Sequence, residues 1–173
     1  MNISEILEQF DLLEDYPLAR ETTKSSQDKV LSGYNRYYNP DMDHVGAGYF
    51  AGHKITSAIG KRSPRIHCGL DLAYNLNQPV MAFCGGKVII AHFENAYGNV
   101  VYVTDANRYW HVYAHLNEIK VKVGQVVKTG DIIGLAGNTG QSKGVHLHYA
   151  IWRPTSGRYE NERAIDPRIY QYP

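Results

Sequence analysis

The sequence predicts a mainly β protein, a compact antiparallel β-sandwich or barrel preceded by a short N-terminal helix. After about residue 53, short runs rich in β-branched and aromatic residues alternate with Gly, Asn and Asp, at the spacing typical of strands and turns. No helical hydrophobic period appears between residues 80 and 153. The 173 residues are enough for one domain with a short appendage.

The N-terminal segment carries one apolar stripe of an amphipathic helix, since its large apolar residues recur at spacings of three and four. Pro17 ends this helix, and a polar linker follows. The helix packs on the main body or docks on a larger assembly. We therefore divide the chain into helix and linker (1–32), a Tyr- and Gly-rich loop segment (33–52) and the main domain (53–173). The apolar stripe consists of Ile3, Ile6, Leu7, Phe10 and Leu13.

The loop segment 33–52 admits two interpretations. Its tyrosines either cover a sheet edge or line a groove for an extended peptide, because Tyr combines a large contact area with a polar tip. These tyrosines are Tyr34, Tyr37, Tyr38 and Tyr49.

Strands are predicted in the main domain wherever a β-rich run lies between turn residues. Turns are expected at 95–99 and 105–108. The predicted strands are 88–93, 100–104, 109–116, 125–128, 132–135 and 145–153.

Composition excludes several classes of protein. Eighteen basic and seventeen acidic residues give a net charge of +1, which argues against a strongly basic nucleic-acid binder. No apolar run approaches the ~18 residues of a membrane span. The N-terminus lacks a basic region followed by an apolar one, so we expect no export signal. Cys68 and Cys84 are expected to be buried thiols rather than a disulfide.

Five polar residues of the main domain attract attention as a constellation. His146 and His148 occupy one predicted strand at positions that share a face, about 7 Å apart. His67 and Asp71 share a face if their segment is extended, and Gly69 between them leaves room for a metal or for close backbone approach.

The predicted strand 109–116 follows the same alternation. It places His115 on one face with residues 109, 111 and 113, and the intervening residues on the other. His92 and His111 have no partner at ligand spacing, and we interpret them as ordinary hydrogen-bonded strand histidines.

Neutral imidazoles and a carboxylate suit Zn²⁺. The spacing alone leaves a metal site and a chance pattern both open. The H-E-x-x-H motif of helical zinc proteases is missing from the sequence.

Several motifs in one order resemble the lysostaphin/LytM-type zinc endopeptidases, which cut peptidoglycan peptides. The resemblance covers roughly residues 53–169 and closes with Ile165-Asp166-Pro167. The motifs are HCGLD (67–71), QPVMA (78–82), YGNVVY (97–102), VYAHL (112–116), VGQVVKTG (123–130), IGLAGNTG (133–140) and GVHLHY (144–149).

This resemblance implies one Zn²⁺ per chain with His67, Asp71 and His148 as ligands. It implies that His115 and His146 are the catalytic histidines, which orient the metal-activated water and take its proton. The implied fold is an antiparallel β-sandwich of the duplicated hybrid motif type, and the implied substrate is a peptidoglycan stem peptide or cross-bridge.

The sequence departs from the family pattern in places. Some relatives have a Tyr shortly before the first ligand as an oxyanion helper, but residues 55–66 contain none. Either Tyr49 or another aromatic residue of the 34–50 loop takes its place, or the histidines act alone. Cys68 beside His67 is expected to pack in the core. Asn35 or Asn39 is a candidate for the latency residue that occupies the open metal position in some relatives, although Asn is also common in turns.

Three functions remain open from the sequence. The first is a peptidoglycan endopeptidase acting on the cell wall, as a phage lysin or virion-associated hydrolase. The second is a catalytically silent cell-wall-binding or regulatory module. The third is a phage tail component whose N-terminal helix docks on a larger assembly.

Overall fold

A computed structural model describes residues 48–62, 65–153 and 164–173. The predicted N-terminal helix, the linker and most of the loop segment, with Asn35 and Asn39, lie outside these ranges. The strands within them are β1 (Tyr49–Phe50), β2 (His53–Ser57), β3 (Gly60–Arg62), β4 (Arg65–His67), β5 (Leu70–Ala73), β6 (Pro79–Met81), β7 (Gly86–Glu94), β8 (Gly98–Thr104), β9 (Trp110–Ile119), β10 (Val126–Val127), β11 (Ile132–Ala136), β12 (His146–Trp152) and β13 (Ala164–Ile165).

Eleven of the strands in the described ranges form one branched sheet, in which every pairing is antiparallel. Its main path runs β1-β2-β5-β12-β9-β8-β7-β10. Strand β11 pairs with β6 and β9, and β13 pairs with β12. Strands β3 and β4 form a separate hairpin. The predicted antiparallel β fold is thus confirmed, and no helix occurs in the described part of the chain.

Period-two alternation along the central strands fills two cores. In β12, Leu147 and Tyr149 enter the larger core, whereas Ala150 and Trp152 enter the smaller one. The side chains of His146 and His148 lie on one face of β12, as predicted. It is the same face as that of Ala150 and Trp152. The central strands β9 and β12 therefore place the site on the face of the smaller core.

His111 lies in the larger core and is fully buried. Its Nε2 atom lies 3.0 Å from a carboxylate oxygen of Asp105, and its Nδ1 atom lies 2.7 Å from the hydroxyl of Tyr149. The prediction of an ordinary hydrogen-bonded strand histidine is confirmed. His92, on β7, is half exposed, and its Nε2 atom lies 3.4 Å from a carboxylate oxygen of Glu94.

Among the described residues there is no helix long and apolar enough to cross a membrane.

Candidate metal centre

Three side chains from three strands bring one donor atom each to a common point. The Nε2 atom of His67 lies 3.0 Å from Oδ1 of Asp71 and 3.1 Å from Nδ1 of His148. The third side of this triangle, from His148 to Asp71, is 3.0 Å. Neighbouring donors in a tetrahedral zinc site are roughly 3.3 Å apart. The triangle is therefore close to the size that one zinc ion requires.

Strand register explains how Asp71 and His148 meet. Asp71 on β5 is the direct cross-strand partner of His148 on β12, and such partners point to the same face with Cβ atoms about 5 Å apart. This long-range pairing joins two motifs that lie 77 residues apart in the chain.

His67 reaches the site from the separate β3–β4 hairpin. Strand β4 ends at His67, and β5 begins at Leu70. His67 and Asp71 do point to the same place, but the segment between them is a break between two strands rather than one extended strand.

Gly69 occupies this break because a side chain has no room there. A Cβ atom at this position would lie 2.5 Å from the carbonyl oxygen of Tyr149 and 2.9 Å from Cε1 of His148. Real Cβ atoms do not approach neighbours so closely. The expectation of close backbone approach at Gly69 is confirmed.

Backbone carbonyls fix the proton position of three histidines at the site. A carbonyl oxygen only accepts hydrogen bonds, so each Nδ1 atom that contacts one carries the proton and leaves the Nε2 atom with a lone pair. The pairs are His67 with Ala58, His115 with Thr139 and His146 with Gly144, each at 2.8 Å.

The donor set fits zinc. The Nε2 atom of His67 is an acceptor that faces a carboxylate oxygen and a second imidazole nitrogen, so electron pairs converge in a buried place. Convergent acceptors repel one another, and a cation between them removes the repulsion. Two imidazoles and one carboxylate are also established zinc ligand types.

The protonation states suit metal binding as well. Burial raises the pKa of Asp71, but the adjacent rings of His148 and His67 outweigh burial and hold this pKa well below the usual carboxyl value. Burial lowers the pKa of His148. The carboxylate is therefore ionised and the imidazole neutral at neutral pH, which are the forms that bind metals.

His115 reaches the site through a β-bulge, and here the prediction from parity was wrong. Between Tyr113 and Leu116, strand β9 advances by three residues while its partner β8 advances by only two. His115 has a left-handed φ of 62°, and Leu116 rejoins Tyr113 in the larger core. The extra residue turns His115 away from the face of Tyr113, so that its ring lies 5.9 Å from that of His148.

The two remaining histidines of the constellation are neighbours. The rings of His115 and His146 have centroids 4.8 Å apart. The Nε2 atom of His146 lies 3.5 Å from Oδ1 of Asp71. Burial lowers the pKa of His115 to about 4, so its ring is neutral at neutral pH. The structure thus brings all five predicted site residues together.

Other contacts at the site were not predicted. The ring of Tyr97 stacks on that of His148, with centroids 5.6 Å apart, and its carbonyl accepts the backbone N–H of His115 at 2.8 Å. The motif YGNVVY, which begins at Tyr97, was the feature of the sequence that could have indicated these contacts. Tyr49 is 75% exposed on β1, and its oxyanion role stays a prediction.

Cys68 packs in the smaller core, as predicted, and burial raises its pKa to about 11. Cys84 lies in the larger core. Neither thiol forms a disulfide.

Fold and site together define a class: an antiparallel β protein with a candidate His–Asp–His metal centre flanked by two further histidines. Comparison with known families agrees with this class. Residues 65–167 match the profile of Peptidase family M23. The chain belongs to this family, as the resemblance of its motifs implied.

Curated relatives are similar to part of the chain. Over 99 residues the chain is 41% identical to the peptidoglycan DD-endopeptidase ShyA of Vibrio cholerae. This match covers 57% of this chain and 22% of that protein. Over 106 residues it is 38% identical to lysostaphin of Staphylococcus staphylolyticus, with coverages of 59% and 21%. The chain thus spans less than a third of the length of these relatives.

Solved structures show the same fold. The catalytic domain of lysostaphin from Staphylococcus simulans has a TM-score of 0.62 at 32% identity, over 67% of this chain and 90% of that one. The catalytic domain of the prophage-encoded M23 protein EnpA of Enterococcus faecalis has a TM-score of 0.62 at 28% identity, and the match covers 73% of this chain and 98% of that one. A zinc-containing peptidase from Vibrio cholerae has a TM-score of 0.60 at 32% identity, and the match covers 70% of this chain and 37% of that one.

Proposed function

We propose that this chain is a zinc-dependent endopeptidase that hydrolyses peptide bonds in the stem peptides or cross-bridges of bacterial peptidoglycan. One observation carries the proposal: the donor atoms of His67, Asp71 and His148 converge to within 3.0–3.1 Å of one another. Two histidines with no place in that triangle, His115 and His146, lie beside it.

His67, Asp71 and His148 would hold one zinc ion. Zinc supplies Lewis-acid chemistry when bound, polarising a carbonyl group and making water a better nucleophile. The chain supplies a rigid ligand set, since Ala58 fixes the proton of His67 and the β5–β12 register fixes Asp71 against His148.

His115 and His146 would act on water and substrate. Both rings hold their proton on Nδ1, bonded to a backbone carbonyl, so both Nε2 atoms are acceptors. An acceptor at this place orients the attacking water and takes up its proton, and the protonated ring then donates to the leaving amine or steadies the developing oxyanion.

The names of relatives support the substrate. ShyA is described as a peptidoglycan DD-endopeptidase, and lysostaphin as an antimicrobial peptidase. The family match over residues 65–167 includes all five site residues. It favours a bond within peptidoglycan peptides over other peptide substrates.

We place this activity at the cell wall, in a phage lysin or virion-associated hydrolase. Similarity to a prophage-encoded M23 protein supports that setting. In this proposal the peptidase domain spans 53–173, residues 1–32 dock on a larger assembly and residues 33–52 lie between them.

The test uses the full zinc-loaded chain on purified peptidoglycan of two kinds, one with glycyl bridges and one with direct cross-links. Mass spectrometry of the released fragments identifies the cleaved bond. We expect new amino termini from at least one substrate, loss of cleavage with EDTA and recovery with added zinc.

Variants assign the two histidines. His115→Ala and His146→Ala should retain zinc and lose roughly 10²–10⁴-fold in rate, whereas the exposed strand histidine variant His92→Ala should keep the wild-type rate. Zinc-bound variants with wild-type rates would remove these histidines from the mechanism. A wild-type chain that binds sacculi without cleaving either substrate would support a silent wall-binding module instead.

A further inference from the structure

The side chain of Thr139 lies where the β8–β9 ladder is interrupted by the bulge at His115. The Thr139 hydroxyl accepts the backbone N–H of Asn99 on β8 at 3.0 Å. The same hydroxyl donates to the carbonyl oxygen of Leu116 on β9 at 2.6 Å. Asn99 and Leu116 are cross-strand partners, so a side chain from outside both strands bridges them beside the bulge.

The backbone of Thr139 contacts the bulged residue itself. Its carbonyl oxygen accepts the Nδ1 proton of His115 at 2.8 Å. His115 has the left-handed backbone that non-glycine residues rarely adopt, and such a conformation persists only when its surroundings hold it. Thr139 thus contacts the ring of His115 through its carbonyl and the next residue of β9 through its hydroxyl.

Packing around Thr139 leaves space for this bridge. A Cβ atom on Gly98 would lie 2.3 Å from the Thr139 hydroxyl oxygen, and Gly98 itself has a φ of 66°. Two residues after Thr139, the N–H of Gln141 donates to the carbonyl oxygen of Ala96 at 2.9 Å. The loop that carries Thr139 is therefore also fastened to the β7–β8 turn two residues beyond Thr139.

We propose that Thr139 is a positioning residue for hydrolysis: its hydroxyl closes the β8–β9 bulge and thereby sets its own carbonyl to hold the His115 ring and its tautomer. This inference rests on the proposed function, in which His115 acts on water and substrate. Thr139 acts through His115, and loss of its hydroxyl should slow turnover without weakening substrate or zinc binding.

The test compares Thr139→Val, which keeps the shape and removes the hydroxyl, with Thr139→Ser, which keeps the hydroxyl. The exposed Thr129→Val variant is the matched control. Each full chain is loaded with zinc and assayed on a soluble cross-linked peptide dimer prepared from peptidoglycan that the wild type digests. We expect Thr139→Val to lose roughly 10–100-fold in kcat, with KM and zinc content unchanged. Thr139→Ser and Thr129→Val should stay within about threefold of wild type.

A double variant shows whether Thr139 works through His115. We expect His115→Ala/Thr139→Val to have the same residual kcat as His115→Ala, because residues that act as one unit are not additive. Hydrogen exchange at the Asn99 amide should also quicken in Thr139→Val, since that amide loses its acceptor. If the valine variant does not fold, Thr139→Cys carries the comparison, because a thiol is a weaker hydrogen-bonding group.

Two failures are distinguishable. A folded Thr139→Val with wild-type kcat, beside an inactive His115→Ala, overturns the Thr139 proposal and leaves the proposed function standing. A zinc-bound His115→Ala with wild-type kcat overturns the role of His115 in the function, and the Thr139 proposal falls with it.

Discussion

Position 69 tolerates only hydrogen in place of a side chain, because both the ring of His148 and the backbone of β12 lie against it. We predict that Gly69→Ala displaces His148, weakens zinc binding and destabilises the fold by about 1–3 kcal/mol. Zinc competition with a chromogenic chelator and urea unfolding measure the two effects.

Gly144→Ala is the matched control for this substitution. A Cβ atom there meets nothing within 4 Å, so zinc affinity and unfolding midpoint should stay at wild-type values. If Gly69→Ala and Gly144→Ala had the same zinc affinity and unfolding midpoint, the close packing of Gly69 against His148 would not contribute to zinc binding or stability.

The buried histidine His115 makes the metal-free protein sensitive to acid. Burial lowers its pKa from 6.5 to about 4. Between these values the unfolded chain binds a proton that the folded chain does not, so stability falls as pH falls. The slope from one such group is about 1.4 kcal/mol per pH unit, and the lowered pKa of His148 acts in the same direction.

We therefore predict that the unfolding free energy of the EDTA-treated chain drops between pH 6.5 and pH 4, and more steeply in wild type than in His115→Gln. Chemical unfolding at several pH values measures both slopes. Equal slopes in the two proteins would show that His115 is not held neutral by the fold.

At the scale of single elements, strand β9 shows what the sequence could predict and what it could not. Alternation correctly assigned His111 and Tyr113 to one face, because regular strands obey period two. It failed at His115, because a bulge depends on the register with β8 and on contacts from residues 97 and 139. These partners come from other parts of the chain and leave no local pattern.

The β4–β5 break is a second such case. The spacing of His67, Gly69 and Asp71 correctly indicated that the two side chains converge. It did not reveal that two strands of different sheets meet there. The carbonyl partners of the histidines were likewise unpredictable, since any residue can offer a carbonyl oxygen.

Strand β9 also contributes a buried polar group that holds the larger core to the C-terminal segment. Both His111 and its partner Asp105 have fully buried side chains, and the hydroxyl of Tyr170 donates to the same carboxylate. We predict that His111→Phe costs about 2–4 kcal/mol of stability, since it removes a hydrogen-bond partner of a buried carboxylate. Zinc content should remain one per chain.

His92→Phe makes the same change of side chain on a half-exposed strand position. Its unfolding free energy should stay within about 0.5 kcal/mol of wild type. Thermal and urea unfolding measure the stability of both variants. A similar loss of unfolding free energy in the two would mean that the buried pair of His111 and Asp105 does not stabilise the protein.

At the scale of the whole molecule, the fold was more predictable than the site. All six strands expected between residues 88 and 153 form, because alternation and turn residues are local signals. The short strands β2 to β6 were not separately predicted, as they are brief and their pairing is long-range. The site depends on this pairing: β12 lies between β5 and β9 and so joins the three ligand and histidine motifs.

Zinc-edge anomalous diffraction from a crystal of the full chain tests the central claim most directly. We predict one strong anomalous peak, about 2.0–2.2 Å from His67 Nε2, Asp71 Oδ1 and His148 Nδ1. A zinc-loaded crystal with no peak between these three atoms, or with its zinc bound by other residues, would contradict the account.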